Sequence, residues 1–220
     1  MEERSEANKR REKREVRDEI KYDAVIVANG LFPSHAVPLE ILKNARHIVC
    51  CDGAISHVPQ ADVVIGDGDS IPSAYQGRLI RIEEQEDNDL TKATRYCLSR
   101  GWHHIAYLGA TGLREDHTLG NISLMARYAQ EFGVEPLLAT DYGWLVVAEG
   151  QRLFESFPGQ QVSIFNLDCQ SLASEGLRWQ SYPYTQLWQG TLNEATGVTF
   201  MLQGDGRYIV YRTYYHKGRE

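Results

Sequence analysis

From Tyr22 onward, short continuous apolar runs alternate with segments of helical period, and after about Tyr142 the helical period disappears. Asp23 to Ala28, His47 to Cys50, Asp62 to Ile65, Leu79 to Ile82 and His104 to Leu108 are such runs, and Val134 to Ala139 closes the series. Strands apolar on both faces belong to a parallel sheet covered on both sides, and strands alternating with helices predict that sheet. A short helix fits Leu39 to Asn44. After Asp89, the spacing of Leu90, Ala93, Thr94, Cys97 and Leu98 predicts a helix with Asp89 as N-cap and Gly101 as its stop. A second helix follows Asp116 as cap, with Leu119, Ile122, Met125, Ala126 and Ala129 as its buried stripe and Gly133 as its end.

Beyond Tyr142 the runs 145–148, 151–154, 161–165, 177–179, 198–202 and 208–212 read as short strands separated by glycine turns. A small antiparallel β-sandwich accounts for them. The expected organisation is therefore a charged tail over residues 1–21, an α/β domain over 22–142 and a β-sandwich over 143–220. After Met1 the tail has only Ala7, Val16 and Ile20 as apolar residues, too few to offset its ordering entropy.

The strand ends carry the candidate chemistry. Gly66-Asp67-Gly68-Asp69-Ser70, Gln85 to Lys92 and Gly109 to His117 each follow an apolar run, so each falls at the sheet edge where α/β proteins bind ligands. Asp52-Gly53 ends a further strand. Carboxylates gathered at one edge repel unless a hard cation lies between them, and Mg²⁺ suits oxygen ligands completed by substrate phosphates and water. Lys92 and Arg114 would then face phosphate. A cation in a first helical turn opposes the macrodipole, and a nearby anion resolves that conflict. The Gly109 to Gly112 loop offers further N–H groups, although a P-loop pattern is absent.

Bulk properties narrow the partners. A net formal charge of −7 argues against a general nucleic-acid binder. The cysteines Cys50, Cys51, Cys97 and Cys169 show no CxxC spacing and read as reduced core thiols, as in a cytoplasmic protein. No run approaches the roughly 18 apolar residues of a membrane helix, and the N-terminus lacks a signal-peptide core. His103, His104 and His117 have no zinc-site spacing, and no Gly-x-Ser-x-Gly elbow exists.

Taken together, Gly66-Asp67-x-Asp69-Ser70, Gln85-x-x-x-Asp89-x-x-Lys92 and Gly109-x-x-Gly112-x-Arg114-x-Asp116-His117 resemble the thiamine pyrophosphokinase family. Asp52-Gly53, Gly176-Leu177-Arg178-Trp179 and Thr191-Leu192-Asn193-Glu194 extend the likeness over nearly all of the chain after Tyr22. The resemblance implies a homodimer that moves pyrophosphate from ATP to the hydroxyethyl oxygen of thiamine. It implies that Asp67, Asp69, Asp89 and Asp116 hold Mg²⁺ and the triphosphate, with Asp52, Lys92, Thr111, Gly112 and Arg114 on the ATP side. Gln85, Trp179 and Asn193 match positions that contact thiamine, the last two from the partner subunit. Leu192 stands where relatives often have Ser. Asp69 or Asp116 is the expected acceptor of the hydroxyl proton. The rival readings are a pyrophosphokinase for another small alcohol, such as a hydroxymethylpterin, and a non-catalytic sensor of nucleotide or thiamine diphosphate.

Overall fold

A computed structural model describes residues 22–84 and 86–216. The expected tail over 1–21 and the candidate Gln85 lie outside the described residues. Six strands form a parallel sheet: β1 (Ala24–Val27), β2 (Ile48–Cys51), β3 (Val63–Gly66), β4 (Leu79–Arg81), β5 (His104–Leu108) and β6 (Glu135–Ala139). Their order across the sheet is β4-β3-β2-β1-β5-β6. The chain runs outward from β1 to β4, then returns to the other side of β1. That reversal places a switch point between β1 and β5, where a crevice opens at the strand C-terminal ends.

Period-two burial explains why these runs are apolar throughout. Ile26, Val49, Cys51, Val63, Ile65, Ile105 and Tyr107 enter one core with Leu90, Ala93, Cys97, Met125 and Tyr128 of two helices. Val25, Val27, Cys50, Val64, Ala106 and Leu108 enter another with Leu42 of α1 (Ala36–Lys43) and the 3-10 turn Asp52–Ser56. The two helices of the first core are α2 (Asp89–Ser99) and α3 (Glu115–Phe132).

Both helix starts differ from expectation by a residue or two. Asn88, not Asp89, caps α2, its Oδ1 accepting the Thr91 N–H at 2.9 Å. Arg114 precedes α3 without a side-chain cap, and Asp116 lies inside the first turn. Asn and Asp cap equally well, so adjacent candidates compete. The outcome leaves the Asp89 carboxylate free for other partners. Leu119, expected in the buried stripe, is exposed, because α3 is fully buried only at Met125 and Tyr128 and its first turns stand clear of the sheet.

The C-terminal half is antiparallel, but it continues the same sheet. β6 pairs with β7 (Gly143–Glu155), and the path runs on through β11 (Thr199–His216), β8 (Gln160–Asn166) and β10 (Asn193–Glu194), with β9 (Leu172–Glu175) on β11. Runs expected as four strands are two long ones. β7 carries 145–148 and 151–154 through Gly150, and β11 carries 208–212 and all of 198–202 but Val198 through an irregularity between Gln203 and Arg207. Phe154, Phe200 and Leu202 from beyond these breaks share one core with Val162, Ile164, Tyr208 and Val210. The 177–179 run forms only an isolated bridge from Leu177 to Ala195. Among the described residues no helix is long and apolar enough to cross a membrane.

Candidate active site

Register builds the acidic centre. Cys51 pairs with Ile65, so the next residues, Asp52 and Gly66, lie side by side at the strand ends. A Cβ placed on Gly66 would lie 3.0 Å from Asp52 Cβ and 3.4 Å from Asp89 Oδ2. The missing side chain at Gly66 is therefore what lets the two carboxylates approach across the strand end.

Asp52 is only 7% exposed and has φ 35°, a left-handed conformation that costs a non-glycine residue roughly 1–3 kcal/mol. Its Oδ2 accepts the Ser70 N–H at 3.1 Å, while its Oδ1 is buried with no hydrogen-bond partner among the described residues. Burial raises the Asp52 carboxyl above its ordinary value. The Ser70 N–H opposes that rise, and the charges of Asp67, Asp89 and Asp69 add to it. An orphaned buried carboxylate oxygen pressed by three other carboxylates calls for a cation. Among the described residues no three acidic, histidine or cysteine side chains are set to grip a metal ion by themselves. Mg²⁺ fits such a set, because one or two carboxylates hold it and phosphate oxygens and water complete its shell.

The loop after β3 is ordered by its own chemistry. The Asp69 N–H donates to Asp67 Oδ1 at 3.1 Å, and Gly68 takes φ 89°. The Arg81 guanidinium lies beside Gly68, where a Cβ would meet its nitrogen at 3.0 Å. Lys92 is 5% exposed, and its ammonium sits between Asp89 Oδ1 at 3.4 Å and the Ile82 carbonyl at 3.2 Å. The anion that offsets its unfavourable place in the helix is thus Asp89.

Across the switch point, two glycine loops pair by backbone. The Gly30 N–H donates to the Gly109 carbonyl at 2.7 Å and the Leu31 N–H to the Thr111 carbonyl at 2.9 Å. A Cβ on Gly30 would come within 2.3 Å of the Gly109 oxygen, so only glycine permits this approach. Gly109 and Gly112 both take left-handed φ. The Gly112 N–H has only a long contact of 3.4 Å to Thr118 Oγ1.

Arg114 and Asp116 lie at the exposed start of α3 as a bidentate pair, with contacts of 3.1 and 2.6 Å. Hydrogen bonds from Arg114 and the His117 N–H hold the Asp116 carboxyl below its ordinary value. The charges of Asp67, Asp89 and Asp69 act on Asp52, and Asp116 is paired with Arg114.

Trp179 and Asn193 meet in the C-terminal half. Asn193 is 4% exposed, and its amide is spent on the Trp179 backbone, accepting its N–H at 3.1 Å and donating to its carbonyl at 2.8 Å. Asn193 therefore presents Trp179, whose ring is 54% exposed with the Arg178 guanidinium 5.2 Å from its centre. Leu192 takes φ 61°, and its N–H reaches Ser163 Oγ at 3.2 Å.

Sequence reasoning missed Asn121. Its Nδ2 donates to the Ala110 carbonyl at 2.7 Å, and its Oδ1 accepts from Asn88 Nδ2 at 3.2 Å, so it ties the glycine loop to the cap of α2. Its only signal is an Asn at a helical position, where its propensity is poor.

Residues 39–135 match a family model described as the thiamin pyrophosphokinase catalytic domain, and residues 143–211 match the thiamin pyrophosphokinase substrate-binding domain. Among solved structures, the thiamine pyrophosphokinase of Bacillus subtilis superposes with a TM-score of 0.72 at 18% identity, covering 86% of this chain and 98% of that one. That of Candida albicans gives 0.72 at 16% identity over 88% and 89%. The yeast enzyme gives 0.70 at 14% identity over 89% and 87%. At these identities the structures establish the fold. No curated protein sequence matches the chain significantly.

Proposed function

Because the chain is an enzyme of the thiamin pyrophosphokinase family, we propose that its acidic strand ends bind ATP with Mg²⁺ and transfer pyrophosphate to thiamine. The observation that carries this reading is Asp52, a buried carboxylate with an unpartnered oxygen, flanked by Asp67, Asp69 and Asp89 at the sheet edge. A site so charged, before any ligand arrives, suits a metal-bound triphosphate.

Residues 22–142 would carry the nucleotide site and 143–220 the thiamine site. The thiamine hydroxyl oxygen attacks the β-phosphorus of ATP, the bond from that phosphorus to the α,β-bridging oxygen breaks, and AMP leaves with the bridging oxygen. Mg²⁺, when bound, supplies positive charge to the phosphate oxygens. The protein's part is positioning and charge stabilisation, as in phosphoryl transfer generally. One or two of the Asp52, Asp67, Asp69 and Asp89 carboxylates would hold the metal, with phosphate oxygens and water completing its shell, and Lys92 fixes Asp89. Arg114 turns from Asp116 to the phosphates, while the Gly112 N–H and its loop line the triphosphate. The hydroxyl proton passes to Asp69 or Asp116. Asp116 is the poorer base for as long as Arg114 holds it.

Trp179 offers a ring for the thiamine cation. Trp179, Tyr182, Leu187, Trp188 and Leu192 are all exposed within one segment, which supports a homodimer in which this segment meets the partner subunit. The four cysteines are free and buried, in keeping with a cytoplasmic enzyme. The test is a purified-protein assay with ATP, Mg²⁺ and thiamine beside a hydroxymethylpterin. Equal AMP and thiamine diphosphate, abolished by chelation, are expected; ADP, or reaction of the pterin alone, would overturn the reading.

A further inference from the structure

The acidic stretch ahead of α2 contains a carboxylate that does not face the site. Asp87 has its side chain 11% exposed and is gripped from two helices, by Arg95 of α2 at 2.6 Å and Arg127 of α3 at 3.0 Å. Both guanidinia lie over the Phe132 ring, 5.8 and 5.4 Å from its centre, and Arg127 also bonds Glu131 at 2.9 Å. The Asp87 N–H donates to Glu84 Oε1 at 2.7 Å. The next residue, Asn88, caps α2 and reaches Asn121, which holds the glycine loop. Asp89 follows immediately, facing Asp52 across Gly66.

We propose that Asp87 is a positioning residue, its carboxylate locking the entry to α2 so that Asp89 is aimed at the metal–triphosphate site. The inference rests on the functional reading above for what the site binds, but not for the geometry. Three features argue for positioning over plain support. The carboxylate lies two residues from a site carboxylate, with only the helix cap between them. Its partners come from both helices that share one face of the site's sheet, α2 and α3, so the clamp fixes the loop relative to both. Among the described residues Asp89 itself has only the Lys92 pair to hold its side chain, and its aim therefore depends on where the backbone enters the helix. An amide at residue 87 keeps one accepting oxygen, turns a donor NH2 toward the second guanidinium and carries no charge to neutralise either, so the clamp opens on one side.

The test compares wild type, Asp87→Asn, Arg127→Gln and, as a control, Asp168→Asn, which breaks an ion pair with Arg207 in the C-terminal half. Four quantities are read: amide exchange across 86–92, Mn²⁺ affinity by water-proton relaxation, kcat with thiamine KM, and Tm. For Asp87→Asn and Arg127→Gln we expect about tenfold faster exchange at the start of α2 and, as for residues that orient metal ligands, roughly 10–100-fold weaker Mn²⁺ binding and lower kcat. Thiamine KM should stay within about twofold, because no thiamine contact is touched. Asp168→Asn should move Tm alone. The inference is overturned if the site variants also change only Tm, or if exchange rises while Mn²⁺ affinity and kcat hold. Should the wild type not turn over thiamine, the functional reading fails, and exchange with Mn²⁺ affinity alone decides the role of Asp87.

Discussion

Gly66→Ala adds one methyl group between Asp52 and Asp89. The new Cβ would lie 3.0 Å from Asp52 Cβ, 3.3 Å from Asp52 Cγ and 3.4 Å from Asp89 Oδ2. The 3.0 and 3.3 Å approaches are tighter than ordinary contact, so the Asp52 side chain must give by a few tenths of an ångström, while the 3.4 Å contact to Asp89 is ordinary. Since a misplacement of about 1 Å costs about 100-fold in rate, the expected loss of kcat is roughly 3–10-fold. Stability should suffer less. Overpacking costs about 1–3 kcal/mol, and replacing glycine in an extended strand returns about 0.4–1 kcal/mol through the unfolded chain. The net cost is then at most about 2.5 kcal/mol, a fall in Tm of no more than about 10 °C at this size. Steady-state kinetics beside a thermal melt reads both, with Gly120→Ala as the companion, since a Cβ on that helical glycine meets nothing within 4 Å. The companion should keep its activity and gain roughly 0.5–1 kcal/mol. A Gly66→Ala enzyme within twofold of wild-type kcat would refute the close approach of Asp52 and Asp89 as the basis of the site.

Three further outcomes follow from the same geometry. Asp52→Asn should abolish turnover yet raise Tm without divalent ions near neutral pH. Because the folded Asp52 carboxyl is raised, its cost to stability grows as pH rises from the ordinary value of 3.8, so the variant's advantage should vanish in acid; an equal Tm difference at all pH values contradicts this. His35 caps α1 through Nδ1 and donates Nε2–H to Tyr215 at 2.6 Å, and burial lowers its pKa below 6.5 against the opposing charge of Asp141. Protonation then favours the unfolded chain, so Tm should fall as pH drops below about 6.5, and less so in His35→Asn, which keeps a cap. Trp179→Ala should raise thiamine KM by up to about 30-fold, the equivalent of about 2 kcal/mol of cation–π attraction, with little change in Tm; an unchanged KM removes Trp179 from the thiamine site.

Continuous apolar runs made β1, β2, β3 and β5 legible, because burial on both faces leaves no other reading. The caps were legible only to within a residue or two, since Asn88 and Asp89 satisfy the same local chemistry and tertiary contacts decide between them. β7 and β11 read as fragments because Gly150, Gly204 and Gly206 interrupt the apolar pattern, although the two strands resume pairing beyond the irregularity between Gln203 and Arg207. The acidic residues of the site and their gathering at one sheet edge were visible in the strand ends, but which of them come within reach of one another was not. Asp52 joins Asp67, Asp69 and Asp89 through the register of β2 on β3, a long-range fact. The roles of Lys92, Asp87 and Asn193 were hidden for the same reason. Each is a polar residue in a plausible site motif, yet each spends its side chain on neighbours that only the fold brings close.

The most direct test of pyrophosphoryl transfer follows two labels through one turnover of ATP with thiamine and Mg²⁺. The account predicts that label in the γ-phosphate of ATP emerges in the terminal phosphate of thiamine diphosphate, while label in the α-phosphate remains in AMP. Label from the γ-phosphate in thiamine monophosphate, with ADP as the nucleotide product, would show that a single phosphoryl group is moved and would contradict the account.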